Sequence, residues 1–301
     1  MEGRLSLARR VEAFESCRHE LVALSYRMLG DLGRAEDMVQ EAWLRWQGHE
    51  GDVESSRAFL VTVVTRLCLN ELGSARARRE EARPDRLPEP VDLDDGGIAR
   101  VERVEQVSMA FLVALQRLTP AERAVLLLHE VFDFGHQEIA ELVGNTAAAC
   151  RKLLERARRS LATERRMQAA SQEEHRRLLA AFLQAASGGD VQGIVRLLAE
   201  DAVMVTDGGS EGRRFAGQRN LSQPLRNAVR IAAFVVATTR RTASALRVEE
   251  RQLNAQPAAV FWNGDQPFAA LLLAVADGKV QRVYFHADLR RLGHLGRPVD
   301  A

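Results

Sequence analysis

Cysteine is scarce in this chain: three residues, Cys17, Cys68 and Cys150, among 301. Their odd number, wide spacing and apolar helical surroundings exclude a disulfide framework or a clustered zinc site, and they read as reduced thiols. An excess of one charge sign is missing as well. Lys and Arg total 42 against 41 Asp and Glu, a net charge of +1. No global field therefore argues for nucleic acid or membrane, and any such surface must be regional. No uninterrupted apolar stretch approaches ~18 residues, and the opening MEGRLSLARRVEAFE has no apolar signal core. Both absences point to a soluble cytoplasmic protein with no membrane partner. His129-Glu130 and His136 do not form H-E-x-x-H, so no metal or cofactor is expected.

What remains is an ordinary globular composition, 46% hydrophobic, long enough for two or three domains. Residues 11–29, 34–47 and 56–79 read as helices. The run EEARPDRLPEPVDLDDGGIA (80–99) is rich in Pro, Asp and Gly, sustains neither helix nor core, and reads as a linker. Helices resume near 101–117. Another starts at LTPAER, where Thr119 suits the N-cap, Pro120 the first helical position and Glu122 the third. Helical spacing then continues to about residue 177. Two further helices, 173–186 and 191–199, precede apolar or alternating runs at 203–206, 245–253, 258–262, 268–275 and 279–285. ADGK (276–279) makes the turn between the last two. This half reads as a separate α+β domain.

The stretch HQEIAELVGNTAAACRKLLERARRSL has helix-turn-helix spacing. Gly144 supplies the turn, Thr146 caps the second helix, and Cys150, Leu153, Leu154, Ala157 and Leu161 share its apolar face. Ala148, Lys152, Glu155 and Arg159 point the opposite way, with Ala149, Arg151 and Arg156 beside them. A small side chain first and basic residues behind suit a helix in the major groove. The bland reading is a solvated basic face. On the 56–79 helix, Leu60, Val63, Val64 and Leu67 make the buried stripe. Thr62, Thr65, Leu69 and Arg76 face outward near Arg66, Arg78 and Arg79, where hydroxyls and arginines can track a nucleic-acid backbone. On the 34–47 helix, Ala35, Val39, Ala42, Trp43 and Trp46 share one face, and Asp37, Gln40, Glu41 and Leu44 the other. An acidic stripe is wrong for touching phosphates.

AEDMVQEAWLRW (35–46) resembles the segment of bacterial sigma factor region 2 that docks on core RNA polymerase. SRAFLVTVVTRLCLNELGSARARRE resembles the promoter −10 region of extracytoplasmic-function (ECF) sigma factors, and residues 118–161 resemble their region 4, which reads the −35 element. DRLPEPVD resembles the LPEP linker of ECF members carrying a C-terminal SnoaL-like domain, and LLAEDAVMVTDGGSEGRRFAG that domain's opening. The resemblance implies a multidomain chain. Residues 1–82 are all-α region 2, 83–102 a flexible linker, and 103–168 region 4 with its helix-turn-helix. Residues 169–301 are an α+β cone-shaped domain with a curved sheet, regulatory rather than catalytic. It further implies core RNA polymerase and promoter DNA as partners. Asp37, Gln40, Glu41 and Leu44 are then the docking residues, and Thr62, Thr65, Arg66, Arg76 and Arg79 the −10 set. Thr146, Ala148, Ala149, Arg151, Lys152, Glu155 and Arg159 form the −35 set. Leu87, Pro88, Glu89, Pro90, Asp207, Gly208 and Gly209 make a regulatory contact between domains. The sequence names no ligand for the pocket such a domain encloses.

Other motifs carry less. Gly208-Gly209-Ser210-Glu211-Gly212 matches G-x-S-x-G, but that elbow needs a large hydrolase sheet. DFG at 133–135 lacks every other kinase element. Asp207, His286 and Asp288 are the candidates for proton transfer if the pocket were catalytic. Three alternatives to a sigma factor stay open: a DNA-binding regulator that ignores polymerase, a SnoaL-like enzyme fused to a DNA-binding module, and a decoy that occupies polymerase without initiating.

Overall fold

A computed structural model describes residues 6–74, 86–92, 107–162, 170–209, 214–215, 218–219, 221–242 and 245–296. They form two compact units. The first holds 6–74 and 114–162, and the second 86–92, 107–113 and 170–296.

The first unit is helical. Helix α1 (Leu7–Leu29) starts where the Ser6 hydroxyl accepts the Arg9 N–H, and it ends at Gly30 in the left-handed region. Helix α2 (Leu32–Gln47) is capped by the Asp31 carboxylate, and α3 (Ser56–Leu72) by Ser55. The helix expected over 56–79 stops at Leu72, capped by Gly73; residues 75–79 lie outside the described set. Leu21, Leu24 and Met28 of α1, Val39 and Trp46 of α2, and Leu60, Val64 and Cys68 of α3 are buried together. The Trp46 indole N–H donates to the Arg10 carbonyl at 3.0 Å, and the Arg10 guanidinium donates back to the Trp46 carbonyl at 2.7 Å. Burial pushes the Cys68 thiol up to about 12, consistent with an inert reduced cysteine.

Helices α4 (Met109–Arg117), α5 (Pro120–Glu130), α6 (His136–Val143) and α7 (Ala147–Ser160) follow. The capping box at Thr119 and Glu122 is complete. Arg123 of α5, fully buried, donates to the carbonyls of Leu115 (2.8 Å), Gln116 and Leu118 (3.2 Å each), and Met28. One guanidinium thus satisfies the end of α1 and the α4–α5 turn. A buried arginine is stable only when its N–H groups are matched in this way.

The second unit is α+β. Helices α8 (Gln172–Ser187) and α9 (Val191–Leu197) lead into β1 (Leu198–Asp207), so the helix expected to reach 199 yields to strand at Leu198. The short strands β2 (Arg214–Phe215), β3 (Gln218–Arg219) and β4 (Leu225–Arg226) follow. A helix absent from the sequence reading comes next, α10 (Ala228–Thr242), then β5 (Arg247–Leu253), β6 (Gln256–Asn263), β7 (Gln266–Ala276) and β8 (Lys279–His286). The chain then turns through α11 (Leu289–Leu292). Six strands make one curved, open sheet in the order β4-β1-β8-β7-β6-β5, parallel only between β1 and β8. Register shifts in β1/β8, β6/β7 and β7/β8 are the bulges that bend it. Asn254-Ala255 and Asp277-Gly278, all at positive φ, close tight hairpins, the second being the expected ADGK turn.

Alternation sends the strands' side chains to two different cores. Met204, Leu271, Leu273 and Val283 pack against Leu178, Phe182, Ile231 and Val235 of the helices. Val203, Val205, Val260, Leu272 and Tyr284 face the other way, where Leu87, Met109, Ala110, Leu292 and Leu295 cover them. The flexible-linker expectation for 83–102 therefore needs correcting over 87–92. These residues are buried on the sheet, and only 86–92 and 107–113 of that neighbourhood are described in the second unit.

Candidate functional sites

Three surfaces come out of this fold. The first is the outer side of α2. Burial of Ala35, Val39, Ala42 and Trp46 turns Asp37, Gln40 and Leu44 outward, with Leu44 56% exposed. Glu41 is half-buried beside them, accepting from the Arg45 guanidinium at 2.9 Å. That exposed pair is worth little. Trp43 is half-buried against Phe14, ring centroids 4.9 Å apart. The result is an acidic stripe with one leucine at its end.

The second surface is α7. Gly144 holds φ 67 in the turn after α6, a conformation side chains rarely adopt, and the Thr146 hydroxyl accepts the Ala149 N–H at 3.1 Å. Cys150, Leu154, Ala157 and Leu161 are buried and Leu153 half-buried. Thr146, Ala148, Arg151, Lys152, Glu155 and Arg159 are exposed and Ala149 half-buried. Glu155 and Arg159 pair at 2.6 Å. The partners of Arg156 and Arg158 are Glu122 and Glu130, so these two arginines face the bundle.

On α3 the expectation needs correction. Thr65 is fully buried, its hydroxyl donating to the Val61 carbonyl at 2.8 Å. It cannot meet DNA. Val61, Thr65, Cys68 and Leu72 form a second buried stripe beside Leu60, Val64 and Leu67, because α3 has neighbours on two sides. Thr62 is half-buried. Arg66 is exposed and donates, at 3.4–3.5 Å, to the carbonyls of Glu141 and Leu142 at the end of α6. Arg76, Arg78 and Arg79 lie outside the described residues, as does Ser210 of the G-x-S-x-G match.

The third surface lies within the second unit, where residues 87–92 cross the sheet. Asp207, 2% exposed at the end of β1, accepts the Leu87 N–H at 2.9 Å and the Gly209 N–H at 3.0 Å. Arg291 reaches the same carboxylate at 3.2 Å and donates to the Leu87 carbonyl at 2.6 Å. Burial would raise the Asp207 pKa, but the Arg291 charge and the two N–H groups outweigh it and hold the carboxyl below its ordinary range. Gly209 takes φ 80, and a Cβ there would lie 2.9 Å from the Asp288 carboxylate, so the second glycine of DGG is needed sterically. The Asn254 side-chain Oδ1 accepts the Val91 N–H at 3.2 Å, and the Asn254 backbone N–H donates to the Val91 carbonyl at 2.9 Å. Arg251, stacked over Trp262, donates to Asp92 at 3.2 Å and to the Leu295 carbonyl at 2.6 Å.

His294 meets two acceptors at once, Glu89 at 2.8 Å through Nδ1 and the Pro90 carbonyl at 2.7 Å through Nε2. Only the imidazolium donates from both nitrogens. Burial disfavours that charge, but the Glu89 carboxylate and the carbonyl outweigh it and hold the pKa above its ordinary value. Leu87, Glu89, Pro90, Asp207 and Gly209 thus come together within one unit, whereas Arg251, Asn254, Arg291 and His294 carried no sequence signal of this task.

His286 is the Cα partner of Asp207 on β8 and is equally buried. Burial pushes its pKa down to about 3, so the ring is neutral near pH 7. Both residues lie on the linker-covered face. The opposite face lines a cavity of about 480 Å³ that neither touches. Asp288 caps α11, accepting from the Arg290 N–H. The proton-transfer trio expected from sequence is therefore not assembled around the cavity.

Family models for Sigma-70 region 2 and for Sigma-70 region 4 match residues 13–78 and 108–161. Over 190 residues the chain is 38% identical to the probable ECF RNA polymerase sigma factor SigI of Mycobacterium tuberculosis, covering 62% of this chain and 66% of the relative. The ECF RNA polymerase sigma factor SigJ of the same organism is 37% identical over 202 residues, covering 65% and 64%. The chain belongs to the ECF sigma factors. This sigma factor aligns with just under two thirds of the length of these curated relatives. The crystal structure of SigJ superimposes on 96% of this ECF sigma factor, and on all of that chain, with a TM-score of 0.71 at 26% identity. The helical region followed by a SnoaL-like α+β unit is thus the fold of this sigma factor. Among its described residues no helix is long and apolar enough to cross a membrane.

Proposed function

We propose that the protein is a cytoplasmic initiation factor that brings core RNA polymerase to specific promoters. The observation that carries this reading is one helical unit bearing both an exposed Asp-Gln-Leu stripe on α2 and an outward basic face on α7. A regulator that ignores polymerase has no use for the first surface. Asp37, Gln40, Glu41 and Leu44 dock on polymerase; Thr62, Arg66, Arg76 and Arg79 serve the −10 element. Thr146, Ala148, Ala149, Arg151, Lys152, Glu155 and Arg159 serve the −35 element. Lys and Arg on the exposed face supply phosphate contacts, and the small residues near its start admit base edges.

The two DNA surfaces pack within one unit, joined by Arg123 and by Arg66. Two promoter elements nearly two helical turns apart cannot both be read from that arrangement, so initiation requires the halves to part. The SnoaL-like unit acts on this step without catalysis. Support comes from Asp207, committed to Leu87, Gly209 and Arg291, and from a neutral His286 that is not part of the cavity lining. By gripping residues 87–92 it controls how far the chain between the two DNA surfaces can extend. Transcription in vitro with purified core polymerase and the full-length protein tests the assignment, and no promoter-specific transcript would refute it. Equal output from a grip-weakened variant, Asp207→Asn, would refute the regulatory part.

A further inference from the structure

The helix-side cavity of the second unit is a site that the transcription reading does not use. It measures about 480 Å³, within the ~300–1,000 Å³ of small-molecule sites. Five of the chain's 11 phenylalanines line it: Phe182, Phe234, Phe261, Phe268 and Phe285. Phe261 and Phe285 are tilted together with centroids 6.1 Å apart. Waters held there would each want two to four polar partners. The described lining offers few: Thr206, Thr238, Thr239 and Thr242, with Gln184 and Ser187 exposed at the mouth.

Three of the four threonine hydroxyls favour a hydrogen-bond donor on the occupant. Thr238 donates to the Phe234 carbonyl at 2.9 Å and Thr242 to the Thr238 carbonyl at 3.1 Å. Thr206 donates to the Leu221 carbonyl and accepts the Leu221 N–H. With their protons engaged in the backbone, these oxygens offer lone pairs. No Lys, Arg, His, Asp or Glu appears among the described lining residues. An ionised ligand would therefore be buried unpaired, at a large desolvation cost.

We propose that this cavity is a receptor site for an uncharged, ring-bearing apolar small molecule with one hydrogen-bond donor, a hydroxyl or an N–H. Aromatic walls take the ring system, and threonine oxygens accept from the donor. Acid–base chemistry on the occupant is absent from the design, since Asp207 and His286 lie on the other face of the sheet. The inference stands on the second unit alone, so failure of the transcription assay leaves it intact, and the reverse also holds.

The test uses full-length protein and a matched pair of fluorescent probes. N-phenyl-1-naphthylamine is neutral with one N–H donor; anilinonaphthalenesulfonate is the same ring system carrying an anion. The expected result is saturable binding of one neutral probe per chain, with the sulfonate at least tenfold weaker. Thr238→Phe and Ala287→Leu, which fill the space from opposite walls, lower neutral-probe affinity at least tenfold. Should either fill variant fail to fold, the probe pair on the unmodified protein decides alone, together with a melting midpoint that rises with neutral probe only. Equal affinity for the two probes, no saturation, or undiminished binding by folded fill variants overturns the proposal.

Discussion

Asp207→Asn separates a gripped residue 87–92 segment from one that merely rests on the sheet. The carboxylate is 2% exposed and accepts from the Leu87 N–H, the Gly209 N–H and the Arg291 guanidinium. Asparagine keeps one acceptor oxygen and loses the charge, so at least one backbone N–H and the guanidinium are left worse matched. Hydrogen bonds to charged groups contribute about 1.5–3 kcal/mol each, which puts the loss at about 2–4 kcal/mol. With tenfold per ~1.4 kcal/mol, local release of Leu87 becomes about 30- to 700-fold more frequent. Limited trypsin digestion reads this directly, because the Arg86–Leu87 bond borders the buried stretch. Cleavage there follows the open population when reclosing is fast. Mass spectrometry follows the fragment beginning at Leu87, while cutting after Arg282 in β8 monitors unfolding of the whole sheet. Leu87→Ala, removing a side chain 1% exposed, provides a second route to release at about 2–5 kcal/mol. A change below about threefold at Arg86 in both variants, with Arg282 protected, refutes the grip.

Other outcomes follow from the same geometry. Asp37→Arg with Glu41→Arg abolishes association with core polymerase while far-ultraviolet circular dichroism stays unchanged, and retained binding refutes the docking stripe. Lys152→Ala weakens DNA binding about equally across promoters and reduces the salt slope by about one; a sequence-dependent loss contradicts a phosphate role. Thr65→Val leaves promoter affinity intact and lowers stability in urea by about 0.5–1.5 kcal/mol, the worth of its bond to Val61; a selective loss of DNA binding would restore it to the −10 set. His294 has its folded pKa raised above the unfolded value near 6.5. Its contribution is complete below that value and is lost as pH rises through the folded pKa. Trypsin release at Arg86 in the native protein, divided by that of His294→Gln, therefore climbs as pH rises above the unfolded value; a flat ratio counts against the imidazolium clamp.

Local signals were legible wherever one segment decided its own structure. The Thr119–Glu122 box, the Gly144 turn, the ADGK hairpin and the single apolar stripe of α2 all depend on neighbours within four residues. Thr65 was misread because α3 is buried on two sides, and a threonine that bonds back to residue i−4 can enter a core without a polar partner elsewhere. The stretch 87–92 was misread for the opposite reason. Leu-Pro-Glu-Pro-Val builds no core of its own, yet Leu87, Glu89, Pro90 and Val91 each meet a side chain distant in sequence. Helix α10 was passed over, although Ile231, Ala232, Val235 and Val236 repeat at helical spacing. The side of the sheet on which Asp207 and His286 lie follows from strand order and pleat, which no short motif encodes.

The grip on residue 87 is built from the first and last parts of the SnoaL-like unit: Asp207 ends β1, and Arg291, 204 residues beyond Leu87, closes the site. At ~5–20 residues per second on the ribosome, about 10–40 s separate synthesis of Leu87 from that of Arg291. Residues 114–162 of the helical unit are made within that interval, so this unit is complete while no grip exists. On the proposed function, every new molecule therefore begins life ungoverned, and a polymerase encountered early would meet it in that state. Translation speed across β5–β8 would then be a variable in transcriptional output, one that acts before any signal reaches the finished protein.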